Sequence, residues 1–172
     1  MEEELVDVYD KYKVKTGKVI KREEKDFLKD NEYIITVHCF IIDSSNRILL
    51  TQRNFNQKRG GKWEDTHGGL KSGETSILGI KRELKEEIGV DVEINELKLV
   101  KTLIRKNKIR DIYILKKDIP INEFKYNDGE VINCKYVTID EFKELIENKE
   151  CTFEKFEDTI FYNNEINVFL EE

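Results

Sequence analysis

The sequence predicts an α/β fold, a mixed β-sheet flanked by helices, and three observations carry that prediction. Strand-like segments run together over 32–53 and again over 97–137. A helix with apolar periodicity is inserted between them at 76–88, and a second amphipathic helix follows at 139–148. The 172 residues fit one domain with enough chain to bury a core. Within 1–172, an N-terminal arm is expected over 1–30, a core over 31–150 and a C-terminal helix over 151–172.

Each element has its own signal. Segments 4–9 (ELVDVY) and 13–20 (KVKTGKVI) are expected to pair as strands across a charged turn, and 21–29 (KREEKDFLK) to form a short polar helix. Residues 32–43 (EYIITVHCFIID) are rich in Ile and Val and read as a buried central strand. DSSN makes a turn into a second strand at 47–53, and a glycine-rich loop runs from Arg59 to Gly73. Ile77, Ile80, Leu84 and Ile88 recur at spacings of 3, 4 and 4, which puts them on one face of a helix that Gly89 stops. Strands are expected at 97–105, 109–116 and 131–137, and RKNKIR (105–110) reads as an exposed hairpin. The tail from Phe153 to Leu170 is expected to be helical.

Composition excludes several classes of function. A net charge of −6 argues against a polynucleotide binder, which shows a dominant basic face, but not against a small phosphorylated substrate. No stretch approaches the roughly 20 apolar residues of a membrane span. The acidic start, MEEELVDVYD, lacks the layout of a signal peptide. Cys39, Cys134 and Cys151 are odd in number and widely spaced, so no disulfide framework is expected and the chain is placed in the reducing cytoplasm. The two histidines and scattered cysteines lack zinc-ligand spacing.

The chemistry concentrates in HGGLKSGETSILGIKRELKEEIGV, residues 67–90. At about 100° per residue, Glu83, Glu86 and Glu87 share one side of the helix, away from the apolar stripe. Three carboxylates so spaced repel one another, and Arg82 and Lys85 relieve only part of that. A hard divalent cation turns the repulsion into coordination. Glu74 is placed to accept from Arg82 or to sit at the helix N-terminus. Taken alone, such a string is more often a solvated helix face.

The segment matches the Nudix box, G-x5-E-x7-R-E-U-x-E-E-x-G-U with U aliphatic, at Gly68, Glu74, Arg82, Glu83, Leu84, Glu86, Glu87, Gly89 and Val90. A chance match is on the order of 10⁻⁹ per register. From about residue 4 to 150 the chain resembles the Nudix subgroup of isopentenyl-diphosphate isomerase and its hydrolase-like relatives. The supporting residues are VDVYD…TG, LLTQR, W-x3-HGG and NDGEVINCKYVTIDEF.

The resemblance implies an α/β/α sandwich around a mixed sheet, and a diphosphohydrolase in which water attacks phosphorus. It implies that Glu83, Glu86 and Glu87, with the Gly68 carbonyl, hold Mg²⁺ or Mn²⁺, and that Arg82 and Glu74 orient the carboxylates. It also makes Glu130 a candidate base or additional ligand on a loop facing the metals. Arg53, Lys58, Arg59, His67 and Gly69 are candidates for substrate binding, with a solvated basic loop as the competing reading for the cations. His38 reads as a satisfied core histidine and Trp63 as a packing anchor. The expected partner is a small diphosphate compound, not a nucleic-acid polymer or a membrane, and the N-terminal arm is available to pair across a homodimer. Two alternatives compete with hydrolysis: isomerase chemistry, which lacks its Cys and His because His67 and Gly69 stand there, and a non-catalytic binding module, which has no need of the intact glutamates.

Overall fold

A computed structural model describes residues 4–162. The element order is β1 (Leu5–Tyr9), β2 (Lys15–Lys21), β3 (Ile34–Ile42), β4 (Ile48–Arg53), β5 (Trp63–Glu64), β6 (Thr66–Gly69), α1 (Ser76–Ile88), β7 (Leu97–Arg105), β8 (Lys108–Lys116), β9 (Val131–Val137) and α2 (Ile139–Glu147). Seven strands make one mixed sheet. β3 runs parallel to β8, from Ile34 beside Lys108 to Ile42 beside Lys116, and antiparallel to β6 and β4. β7 closes one edge on β8, and β4 carries β9 and β5.

Alternation along β3 divides the core. Ile35, Val37, Cys39 and Ile41 pack with Ile80, Leu84 and Ile88 of α1. Phe40 and Ile42 pack with Phe142 and Ile146 of α2 and with Phe161. This is the expected α/β/α sandwich. Gly89 ends α1 in a left-handed conformation, φ 72°, with its amide bonded to the Leu84 and Lys85 carbonyls. Thr138 begins α2 through a capping box with Glu141.

Four local features differ from the sequence reading. The glycine-rich loop contains two short strands, β5 and β6, because backbone pairing with β4 and β3 overrides low strand propensity. The polar segment after β2 is a 3-10 helix at Arg22–Phe27, with no buried residue to support a full α-helix. Glu83 and Glu87 are buried at the edge of the α1 core contact, not held clear of it. The tail is not a helix as far as it is described. Cys151 bridges to Trp63, and a 3-10 turn spans Phe156–Asp158, because Phe153, Phe156 and Phe161 must all reach the rings around Phe40 and Phe142. The remainder of that expected helix, 163–170, lies outside the described residues.

The β1–β2 hairpin holds the loop that leads into α1. The Asp7 carboxylate accepts from Ser72 Oγ at 2.9 Å and from the Gly73 amide at 2.8 Å, and pairs with Lys15 at 2.7 Å. Arg22, paired with Glu4, lays its guanidinium against Gly69.

Candidate active site

α1 is fixed at both ends before it presents any carboxylate. At its start, Ser76 Oγ donates to the fully buried Asp111 of β8 at 2.6 Å, and Asp111 also accepts from Lys13 and Thr102. At its end stands the Gly89 cap. The rotation of the helix is set by Ile80, Leu84 and Ile88, each with no exposed surface.

That rotation separates the three glutamates. Glu83 and Glu87 point inward, with 7% and 5% of their surface exposed, while Glu86 lies outside at the rim. Arg82 sits in the middle of a hydrogen-bond network. It makes a bidentate pair with Glu74, at 2.8 and 2.9 Å, and donates to Glu83 at 2.7 Å, Glu86 at 2.9 Å and the Gly69 carbonyl at 3.0 Å. Glu74 is itself held by the Lys71 amide. A planar guanidinium with five donors is the side chain able to join these partners at once.

Gly68 lies against the Glu83 carboxylate so closely that a Cβ there would overlap it. The β6 backbone is thereby brought to the carboxylate cluster, which is what a carbonyl ligand in this place requires.

The cluster is larger than the helix. Burial pushes the Glu87 carboxyl well above the usual carboxylate range, and the charges of Glu83, Glu64, Asp128 and Glu130 push it further. Burial also raises Glu83 against the opposing effect of Arg82, and raises Glu64 against His67 and Arg53. These side chains therefore feel one another across three elements: α1, β5 and the turn before β9. Asn54 pins that turn, donating to the Gly129 and Glu130 carbonyls at 2.8 Å each. Glu130 is exposed on it.

Glu64 went unnoticed in the sequence. It lies outside the box, and its burial comes from β5 pairing with β4, which no local periodicity announces. Asp111 was missed for a similar reason: it is a lone acid within an apolar strand.

Three of the basic residues before the box, Arg53, Arg59 and Lys62, are engaged by the protein. Arg53 bonds to Glu64 at 2.6 Å, to Gln57 at 2.5 Å and to the Lys58 carbonyl at 3.0 Å. Arg59 donates to the Thr152 carbonyl and Lys62 to that of Lys149. Lys58 is exposed. Trp63 packs beside the α2 core and carries Lys135 over its ring at 4.1 Å.

His38 and His67 meet as register partners on β3 and β6, their rings parallel and 5.0 Å apart. His38 Nδ1 lies 2.8 Å from the Asp65 carboxylate, and His67 Nδ1 3.0 Å from the Asp65 carbonyl. The three cysteines are buried and free. Among the described residues no helix is long and apolar enough to cross a membrane.

Comparisons with known proteins agree with this architecture. The family model of the NUDIX domain matches residues 32–156. Nudix hydrolase 3 of Arabidopsis thaliana is 27% identical over 165 residues, which covers 87% of this chain but only 21% of that protein. An uncharacterized Nudix hydrolase of Clostridium acetobutylicum is 28% identical over 162 residues, covering 87% of this chain and 77% of the other. Among solved structures, a Deinococcus radiodurans protein superposes with a TM-score of 0.70 at 17% identity, over 86% of this chain and 91% of its own.

Proposed function

From the premise that the chain belongs to the NUDIX domain family and is a Nudix-type hydrolase, we propose that it cleaves a diphosphate linkage in a nucleoside diphosphate derivative or similar compound, with Mg²⁺ as cofactor and Mn²⁺ as a substitute. The observation that carries this reading is the group of buried carboxylates, Glu64, Glu83 and Glu87, whose ionised forms are disfavoured by burial, that of Glu87 also by the charges of Glu83 and Glu64. Arg53 and Arg82 answer only part of that charge.

The donor set fits a hard divalent ion: every candidate ligand is an oxygen, and the glycine backbone lies within touch of Glu83. Glu83, Glu86 and Glu87, with the Gly68 carbonyl, would hold it. Such an ion, when bound, neutralises the diphosphate and acidifies water.

The chain's own residues supply the rest. Glu74 fixes Arg82, and Arg82 fixes the directions of Glu83 and Glu86, so the carboxylates are preorganised before substrate arrives. Glu130, on the pinned turn whose charge reaches Glu87, accepts a proton as water attacks phosphorus. The new P–O bond forms as the bridging P–O bond breaks, and the departing phosphate carries the displaced negative charge. Lys58, exposed in the loop, and Gly69, beside Gly68, are the groups of this reading that meet the substrate, whereas the His67 ring is stacked on His38 on the sheet face away from α1. Arg53 and Arg59 support it by holding the loop, given the partners they already have.

The likeness of the flanking segments to the isomerase subgroup is compatible with hydrolysis, because His67 and Gly69 replace the residues that isomerisation needs. A binding module without activity is disfavoured by the complete set of box glutamates.

The test is turnover of the purified protein on a panel of nucleoside di- and triphosphates, nucleotide sugars, dinucleotides and prenyl diphosphates with Mg²⁺. Release of phosphate or a nucleoside monophosphate from at least one of them, abolished by a chelator, is expected. Deuterium exchange into isopentenyl diphosphate with no hydrolysis anywhere in the panel would overturn the proposal.

A further inference from the structure

We propose that His38, Asp65 and His67 form a second cation site, suited to a nitrogen-seeking divalent ion of the zinc, cobalt or nickel type, on the sheet face away from α1. Sequence spacing hides this trio, because the histidines lie on separate strands. Antiparallel pairing of β3 with β6 makes His38 and His67 direct partners, which places both rings on one face. That face is opposite α1, since the neighbouring Val37 and Cys39 pack toward α1 while Phe40 packs toward α2.

The geometry is close to what three ligands of one ion need. One donor atom from each residue lies within 4.8 Å of the others. A ligand bond of about 2.0–2.2 Å sets ligand-to-ligand separations of about 3–4 Å. The Asp65 carboxylate lies between the two rings, its Oδ2 2.8 Å from His38 Nδ1 and its Oδ1 3.7 Å from His67 Nδ1.

Three protein ligands leave a fourth position for water or a phosphate oxygen. Arg110, beside Thr36 on the same face, has a buried Nε without a hydrogen-bond partner among the described residues, and would receive such an anion.

The site is distinct in chemistry from the carboxylate cluster: two nitrogens and one oxygen against oxygens alone. It stands whether or not the hydrolase reading does.

The chain has just two histidines, so the test can watch the site alone. Untagged protein labelled with ¹⁵N-histidine and kept in saturating Mg²⁺ is titrated with Zn²⁺. Both imidazole signals should shift together and complete at one equivalent, and Co²⁺ should give visible ligand-field absorption. His38→Gln should weaken Zn²⁺ binding by about 10–100-fold or more, while thermal stabilisation by Mg²⁺ is kept as the sign of a folded protein. Unperturbed imidazoles at one equivalent of Zn²⁺ would overturn the proposal, and so would equal Zn²⁺ affinity in a His38→Gln protein that still responds to Mg²⁺. Should that variant not fold, the wild-type titration decides alone.

Discussion

Glu87 is the side chain with most at stake. Its ionised form is opposed by burial and by four other carboxylates. Its pKa is therefore higher folded than unfolded. Such a group favours the native state below the unfolded value near 4.3 and loses that contribution as pH rises through the folded value. Without a divalent ion, Glu87→Gln is expected to raise the melting temperature at neutral pH. The same substitution should lower kcat by about 10²-fold, the scale of losing a preorganised charge-stabilising group, and remove most of the Mg²⁺-dependent rise in melting temperature. Calorimetry with and without Mg²⁺ checks the pair of effects; a metal-free variant no more stable than wild type would show that the repulsion is not there. Gly68→Ala is the complementary case. Its methyl group overlaps the Glu83 carboxylate, so activity should fall by more than tenfold while α1 and the sheet persist in circular dichroism. Turnover equal to wild type would mean that Glu83 has room to move. Glu83, Glu86 and Glu87 were legible in the sequence because a helix converts spacing into direction. Glu64 and the pairing of His38 with His67 were not, because each depends on which strands become neighbours.

The β1–β2 hairpin precedes the family match yet holds the loop entering α1 through Asp7. Burial alone would raise the Asp7 carboxyl, but the Gly73 amide, Lys15 and Ser72 outweigh it and bring it below its ordinary value. A depressed carboxylate stabilises the fold fully above its unfolded pKa and progressively less as pH falls through the folded one. Asp7→Asn should therefore cost about 1.5–3 kcal/mol at neutral pH, the scale of hydrogen bonds to a charged group, and progressively less as pH falls below the unfolded value near 3.9. Urea denaturation across pH 3 to 7 measures this directly, and a stability difference that does not shrink in acid would assign Asp7 another role. The pairing of these strands was readable from alternation and the charged turn. Their docking on the glycine loop was not, since it rests on one carboxylate finding a serine and an amide far along the chain. The short polar helix expected after β2 is present as a 3-10 helix, a type that polar composition does not specify because it does not distinguish i+3 from i+4 bonding when no face is buried.

At the scale of the molecule, the α/β/α layering was legible because β3 is apolar on both faces and α1 and α2 each carry one stripe. The tail misled for a physical reason: its phenylalanines suit a helical stripe as well as the ring cluster they join around Phe142. The central pairing of β3 with β8 has a further consequence, for the order in which the chain is made. During translation β3, its antiparallel partners β4 and β6, and α1 with all its glutamates emerge from the ribosome before β8 does. Until Lys108–Lys116 emerges, β3 has a bare edge and Ser76 has no Asp111 to anchor α1. An unpaired apolar edge invites association with other chains. The nascent protein is thus most exposed to aggregation between the emergence of α1 and that of β8, and a pause in that interval would lengthen the exposure, whereas one after β8 has emerged would find the central pair already complete.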